Sequence, residues 1–242
     1  MPDRFYCPPP WSTEVELDDT EAHHLLHVLR ARAGTAVEIF DGEGRAADGE
    51  LMPAGKRKAI IKVTSPVRET PTTTPERVLA VAFPKGDRLK WMIEKVTELG
   101  IDRIIPLKTR RSVVEPQELK RARLTQTSLA ACKQCGRNRV LQIDAPCLLA
   151  DLPARFQDRS TELLLGSTAG NITTTNDSVS NCNLEAIVAL IGPEGGFAPE
   201  EEEQILSWGA RPVSLSPWIL RIETAAIAFA ASLCSRNPHR KS

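Results

Sequence analysis

The sequence predicts an α/β protein: a parallel sheet flanked by helices, preceded by a small β-rich domain. Three observations carry this. From residue 77 onward, short apolar runs alternate with stretches of helical period, the pattern of a sheet buried on both faces. Residues 1–72 instead show short strands and glycine turns. Between them lies Glu69-Thr-Pro-Thr-Thr-Thr-Pro75, a Pro/Thr linker, so 1–72 and 73–242 are read as two domains.

In the first domain, Asp19 or Thr20 can cap a helix carrying Ala22, Leu25, Leu26 and Leu29, and Gly34 suits its stop or the turn after it. Val37–Phe40 reads as a strand, Asp41-Gly42 as a hairpin turn, and Lys58–Val63 as a second strand. Gly44 and Gly49 add turns around a polar segment. In the second domain, Arg77–Phe83 is an apolar strand. Leu89, Met92, Ile93, Val96 and Leu99 share one helical face, and Gly100 ends that helix. Ile101–Leu107 is a strand and Pro116–Cys135 a helix. Thr161–Leu165, Ala186–Ile191 and Pro212–Leu215 are strands, and Thr224–Cys234 is an apolar helix. Ser167–Asn183 is rich in Ser, Thr, Asn and Gly and reads as an exposed insertion.

With 31 basic and 31 acidic residues the chain is formally neutral. The distribution is not even: residues 73–147 hold fifteen basic and eight acidic groups, whereas both flanking segments are net acidic. That block can attract phosphate, or it can be a solvated helix face. No apolar run approaches the ~20 residues of a membrane span, and the start Met-Pro-Asp-Arg-Phe-Tyr has no apolar signal core, so a cytoplasmic protein is expected. The basic tail beyond Arg236 reads as a frayed end. Six scattered cysteines do not form a staple framework. Cys132-Lys-Gln-Cys135 lies in a helical run, where i and i+3 share a face. It reads as two thiols on a helix, with metal or redox work as the alternative.

The strongest local feature is Ile191-Gly-Pro-Glu-Gly-Gly-Phe197, between a buried strand and the helix start Pro199-Glu-Glu-Glu-Glu203. Such a loop presents free backbone amides and admits close approach of a ligand. It is neither a P-loop nor a dinucleotide fingerprint, and four glutamates would repel phosphate. An uncharged or cationic ligand suits it, or a tight turn with no ligand at all. A second feature is Leu215-Ser-Pro-Trp-Ile-Leu-Arg-Ile-Glu-Thr224, where Arg221 and Glu223 sit among apolar neighbours as a structural ion pair or as part of a site. Further candidates are Lys85-Gly-Asp-Arg88, Arg110-Arg111-Ser112 and Gln134-Cys-Gly-Arg137.

Taken in order, Lys85, Glu94-Lys-Val-Thr-Glu-Leu-Gly100, Arg110-Arg-Ser112, Gln134-Cys-Gly-Arg137, Gly192-Pro-Glu-Gly-Gly196 and Ile219-Leu-Arg-Ile-Glu-Thr-Ala225 resemble the bacterial RsmE family, small-subunit ribosomal RNA N3-uridine methyltransferases. The likeness extends to Arg4-Phe5, His24, Val28-Leu-Arg30, Gly34 and Asp41-Gly42-Gly44. It implies a PUA-like β-barrel RNA-binding domain, then a SPOUT-type α/β domain with a C-terminal trefoil knot. It also implies a homodimer with 16S rRNA as partner, S-adenosyl-L-methionine (SAM) as cofactor and no metal. By carry-over, the cofactor residues are Leu165, Gly166, Ile191, Gly192, Pro193, Glu194, Gly195, Gly196, Leu215, Ser216, Ile219, Leu220 and Thr224.

For a uridine N3 to accept methyl its proton must leave, so a base or an anion-stabilising cation is needed. Arg221 and Glu223 are the candidates, Arg221 for the anion and Glu223 for the proton or for orienting Arg221. RNA contacts are expected from Arg4, His24, Arg30, Lys85, Lys95, Arg110, Arg111 and Arg137. Leu215-Ser-Pro-Trp218 departs from the family's usual Leu-Gly-x-Arg, and Ile222 stands where Thr is usual. The first departure would strain Ser216 if it needs a positive φ. It also favours an alternative, a non-catalytic RNA-binding or ribosome-assembly protein on the same fold. A nucleotide-binding oxidoreductase or kinase is the other, and it lacks its fingerprints here.

Overall fold

A computed structural model describes residues 2–53, 58–72, 74–114, 121–167 and 183–235. Most of the polar insertion (168–182), the residues 115–120 that were to open a helix, and the basic tail lie outside them. Two compact units emerge: residues 1–72 with 129–140, and residues 73–128 with 141–242.

The first unit contains strands β1 (Asp3–Tyr6), β2 (Glu14–Glu16), β3 (Ala36–Phe40), β4 (Arg45–Leu51), β5 (Ile60–Val63) and β6 (Arg68–Glu69). Their order is β1-β3-β4-β5-β2, with β6 against β4. Only β1–β3 is parallel, and the other pairs are antiparallel. The expected hairpin is present at Asp41-Gly42. The Asp41 carboxylate accepts from the Glu43 and Arg45 amides at 2.7 and 2.9 Å, and Gly42 takes φ 81°. The polar stretch after it is strand β4, not a run of turns. Gly49 lies inside that strand because a Cβ there would sit 2.8 Å from the Lys62 carbonyl. Helix α1 (Asp19–His23) is capped by Asp18, one residue earlier than expected, through its bond from the Glu21 amide at 2.8 Å. It continues as a π-helical turn, His24–Val28. Phe5, Leu25, Val37, Ile39 and Ile61 fill the core.

In the second unit, strands β7 (Glu76–Val81), β8 (Arg103–Lys108), β9 (Gln142–Ile143), β10 (Cys147–Leu148), β11 (Thr161–Gly166), β12 (Ala186–Ile191) and β13 (Arg211–Val213) form one parallel sheet. The order is β10-β8-β7-β12-β11-β13, with β9 also on β8. Strand β12 is buried at every residue, as its unbroken apolar sequence requires. Helices α2 (Asp87–Leu99) and α5 (Ile222–Ser235) pack on one face, with Leu79, Met92, Ile93, Ile104 and Phe229 between. The other face packs Ile105, Leu149, Phe156 and Leu190 with Ile205 of α4 (Pro199–Ser207). Gly100 ends α2 at φ 101°, as the sequence predicts. Helix α3 (Arg121–Cys135) passes from the second unit into the first at Leu129.

Candidate functional site

The site forms where chain order and strand order disagree. Strand β11 precedes β12 in sequence, yet β12 lies between β7 and β11, and β13 returns to the far side of β11. The carboxyl ends of these strands open a crevice, the usual ligand position in α/β sheets. Gly166, Ile191 and Val213, the last residues of β11, β12 and β13, all line one cavity of about 200 Å³.

Two of its walls are glycine backbone. A Cβ on Gly166 would come within 3.1 Å of Phe229 and 3.2 Å of the Leu190 carbonyl, and one on Gly192 within 3.0 Å of Phe197. Side chains at these positions would fill the cradle. The loop after β12 closes a turn through the Gly196 amide and the Pro193 carbonyl at 2.8 Å, with Gly196 at φ 69°. The segment after β8 holds this loop. Arg111 Nη1 donates to the Gly195 and Phe197 carbonyls at 2.7 and 3.2 Å. Glu201 takes the Ala198 amide on one oxygen (2.9 Å) and the Arg110 amide on the other (2.7 Å). The third wall, 214–222, is pinned by Ser214 Oγ donating to the Ser216 carbonyl (3.0 Å) and by the Trp218 amide donating to Ser216 Oγ (3.1 Å). Ser216 does not take a positive φ, so the strain expected on losing glycine there is absent; among described residues the only non-glycine with a positive φ is Arg30.

Ile191, Val213, Leu220, Ile222 and Phe229 give the cavity an apolar side beside a polar one of Ser167, Ser214 and Ser216, and its ionisable lining residues are Glu194 and Glu202. A cationic group beside a flat polar edge fits this lining, and a polyphosphate does not. Trp218 and Ile219 reach the cavity yet remain 78% and 84% exposed.

The structure brings together Gly166, Ile191–Glu194, Gly196, Leu215, Ser216, Ile219 and Leu220. Leu165, Gly195 and Thr224 do not line the cavity: Leu165 is in the core, the Gly195 carbonyl is taken by Arg111, and Thr224 is exposed. Phe197, Glu202 and Phe229 were not foreseen. The expected Arg221–Glu223 pair does not form. Arg221 is exposed, and its guanidinium makes no hydrogen bond or ion pair among described residues. Glu223 is buried at 4% exposure, its Oε2 has no hydrogen-bond partner, and the cation beside it is Arg88 at 3.9 Å.

The expected RNA-binding residues separate into distinct groups. Arg4 is corrected outright. It is 9% exposed, bonded through Nε to Glu38 (2.5 Å), through Nη1 to the Cys132 and Arg137 carbonyls (2.6 and 3.2 Å) and through Nη2 to Asn138, and its guanidinium lies over the Phe40 ring. Four of its five N–H donors are taken inside the protein and the guanidinium is buried, so it is not placed to meet a phosphate from solvent. Lys95 is held between Glu94 and Glu98 at 2.9 and 2.8 Å, and these carboxylates, Glu98 first, raise its pKa. Arg110 pairs with Glu200 at 3.0 Å, and Arg137 is half-buried. His24, Arg30 and Lys85 are exposed. Cys132 is buried and Cys135 exposed, so the CxxC thiols face different surroundings.

The comparisons with known proteins agree with this geometry. An RNA methyltransferase domain model matches residues 72–234, and an RNA methyltransferase PUA domain model matches residues 17–64. Ribosomal RNA small subunit methyltransferase E of Bacillus subtilis is 32% identical over 86% of this chain and 84% of its own length; that of Synechocystis is 30% identical over 90% and 72%. Among solved structures, the same enzyme from Neisseria gonorrhoeae, bound to S-adenosyl methionine, superposes with a TM-score of 0.86 at 30% identity, covering 98% of each chain. A methyltransferase of Legionella pneumophila solved with SAM gives 0.82 at 28%, again covering 98% of each. With a PUA domain model on the first unit and an RNA methyltransferase domain model on residues 72–234, the chain belongs to the ribosomal RNA small subunit methyltransferase E family.

Proposed function

We propose that this protein methylates small-subunit (16S) ribosomal RNA with SAM as donor, at N3 of a uridine. The observation that carries the reading is the glycine-walled cavity at the ends of β11, β12 and β13, part apolar and part polar, and bearing carboxylates but no lysine or arginine. When bound, SAM supplies an electrophilic methyl group on a cationic sulfur. The chain's residues do the rest. Gly166 and Gly192 let backbone approach the ligand, Glu194 and Glu202 face its positive charge, and Ile191, Leu220 and Phe229 exclude water. Glu223 Oε2, buried and without a hydrogen-bond partner, is the candidate acceptor of the N3 proton. Arg221, exposed and unpaired among described residues, is the candidate donor to the carbonyl oxygen of the uridine anion.

We infer further that the α5 region completes a trefoil knot and that the enzyme works as a homodimer in the cytoplasm. Residues 1–72 serve RNA binding and residues 73–242 carry the methyltransferase. N3 lies on the Watson–Crick edge, so the target base must be unpaired. The deciding experiment supplies small ribosomal subunits and SAM labelled in the methyl group. Label at N3 of one uridine is expected. Failure to label, with S-adenosylhomocysteine still binding in calorimetry, would instead favour an RNA-binding assembly protein, a reading supported by the protruding Trp218 at the cavity mouth.

A further inference from the structure

Arg88 ends the sequence candidate Lys85-Gly-Asp-Arg88 but has no assigned catalytic or binding role there, and it lies where three site segments converge. It stands in the first turn of α2, just after Gly86 at φ 64°. Its Nη2 lies 3.3 Å from Glu194 Oε1, in the loop after β12, and its Nη1 lies 3.9 Å from Glu223 Oε2, in the first turn of α5. Glu194 lines the cavity, and so do Ile222 and Ala225 on either side of Glu223. We propose that Arg88 is a positioning residue that spans Glu194 and Glu223 and so sets the spacing of the two cavity walls. This rests on the cofactor reading above and deepens it.

A planar guanidinium can meet two carboxylates at once, one with each terminal nitrogen, and an ammonium meets them only as a point charge. Glu223 is buried, and Arg88 is the one cation within 4 Å of its carboxylate among described residues. Without Arg88 that charge is uncompensated, and the α5 start can relax away from it. Glu194 loses its anchor on the same deletion, so the glycine loop loses its register with α5. Arg88 does not itself line the cavity; it acts through Glu194, which does, and through Glu223.

The test is a double-mutant cycle on S-adenosylhomocysteine affinity by calorimetry, with unfolding midpoints recorded beside it. R88M is expected to weaken binding roughly three- to tenfold, as two partly exposed ion pairs allow. R88K should recover only part of this. E194Q should weaken binding in the parent and add nothing further in R88M. A residue serving only the fold would lower the midpoint and leave the affinity of the folded protein unchanged, and that result overturns the proposal. So does full additivity of R88M and E194Q. Should R88M not fold, R88K and E194Q with their combination complete the same cycle. If the parent itself does not bind S-adenosylhomocysteine, the cofactor reading fails; the Arg88–Glu194 coupling is then read from the midpoints alone, and additivity there overturns it too.

Discussion

Arg4 and Arg88 are both arginines beside carboxylates, and they teach opposite lessons. Arg4 is sealed: its buried guanidinium spends four of its five N–H donors on two carbonyls, a carboxylate and an amide oxygen, and lies over a ring. Arg88 is half-exposed and only loosely shared between two carboxylates at the edge of a cavity. A saturated cation stabilises one fold and can do nothing else. An under-satisfied one near a ligand site can respond to what binds there. Charge alone is visible in a sequence, and saturation is not.

The comparison can be broken most sharply at Arg4. Arg4→Ala leaves the Cys132 and Arg137 carbonyls and the Asn138 amide oxygen without this donor, while Glu38 keeps Arg68 at 2.8 Å, so a loss of about 3 kcal/mol is expected. At ~2–4 °C per kcal/mol for a chain of this size, the midpoint should fall by roughly 10 °C in calorimetric melting. Affinity of the surviving folded protein for S-adenosylhomocysteine should not move. A fall in affinity with an unchanged midpoint would show Arg4 to be a ligand residue after all.

Next in size is the cradle itself. Gly166→Ala places a methyl 3.1 Å from Phe229 and 3.2 Å from a carbonyl, where a neighbour must give. Its φ is not positive, so the cost is spatial rather than conformational. Affinity for S-adenosylhomocysteine should drop on the order of tenfold, with a smaller loss of stability of about 1–3 kcal/mol. Unchanged affinity in titration calorimetry would move the ligand elsewhere.

A smaller effect separates paired from unpaired cations. Lys85→Ala should lower the salt slope of RNA-fragment binding by about one, whereas Lys95→Ala, whose charge Glu94 and Glu98 already satisfy, should leave it unchanged. Filter binding from low to high salt reads both. Equal slopes would erase the distinction.

The smallest effect lies at Arg68, whose guanidinium bonds Asp48 at 2.6 and 3.0 Å and holds that carboxyl below its usual pKa. A depressed folded pKa gives stability that is present above the unfolded value of ~3.9 and lost as pH falls through the folded one. Both side chains are about half exposed, so the contribution is well under 1 kcal/mol. Arg68→Ala should therefore cost slightly at pH 7 and nothing near pH 2 in urea unfolding.

What the sequence made legible follows the same divide. The bounds of β12 came straight from an unbroken apolar run, and Gly100 ended α2 because a positive φ there favours glycine. The glycine loop was legible because its chemistry is local, whereas Gly166 and the 215–220 wall came from the family resemblance and not from spacing or period. β4 was hidden because Gly49 looks like a turn until the partner backbone is known. Arg88 was hidden for a related reason. Its partners lie 106 and 135 positions away, and nothing in Lys85-Gly-Asp-Arg88 tells which of its charges will meet them. Arg221 and Glu223 were joined by proximity in sequence, but the α5 start turns one outward and the other into the core.

The excursion of residues 129–140 has a practical result. A polypeptide that visits its amino-terminal body a second time, far downstream, cannot be dissected with a single cut. A fragment stopping at Thr72 would leave behind Leu129, Cys132 and Val140, which cover Phe40 and Ala46. Expressed alone, it should aggregate or melt early. Recovering an autonomous piece would require splicing the distant stretch back on through an engineered connector.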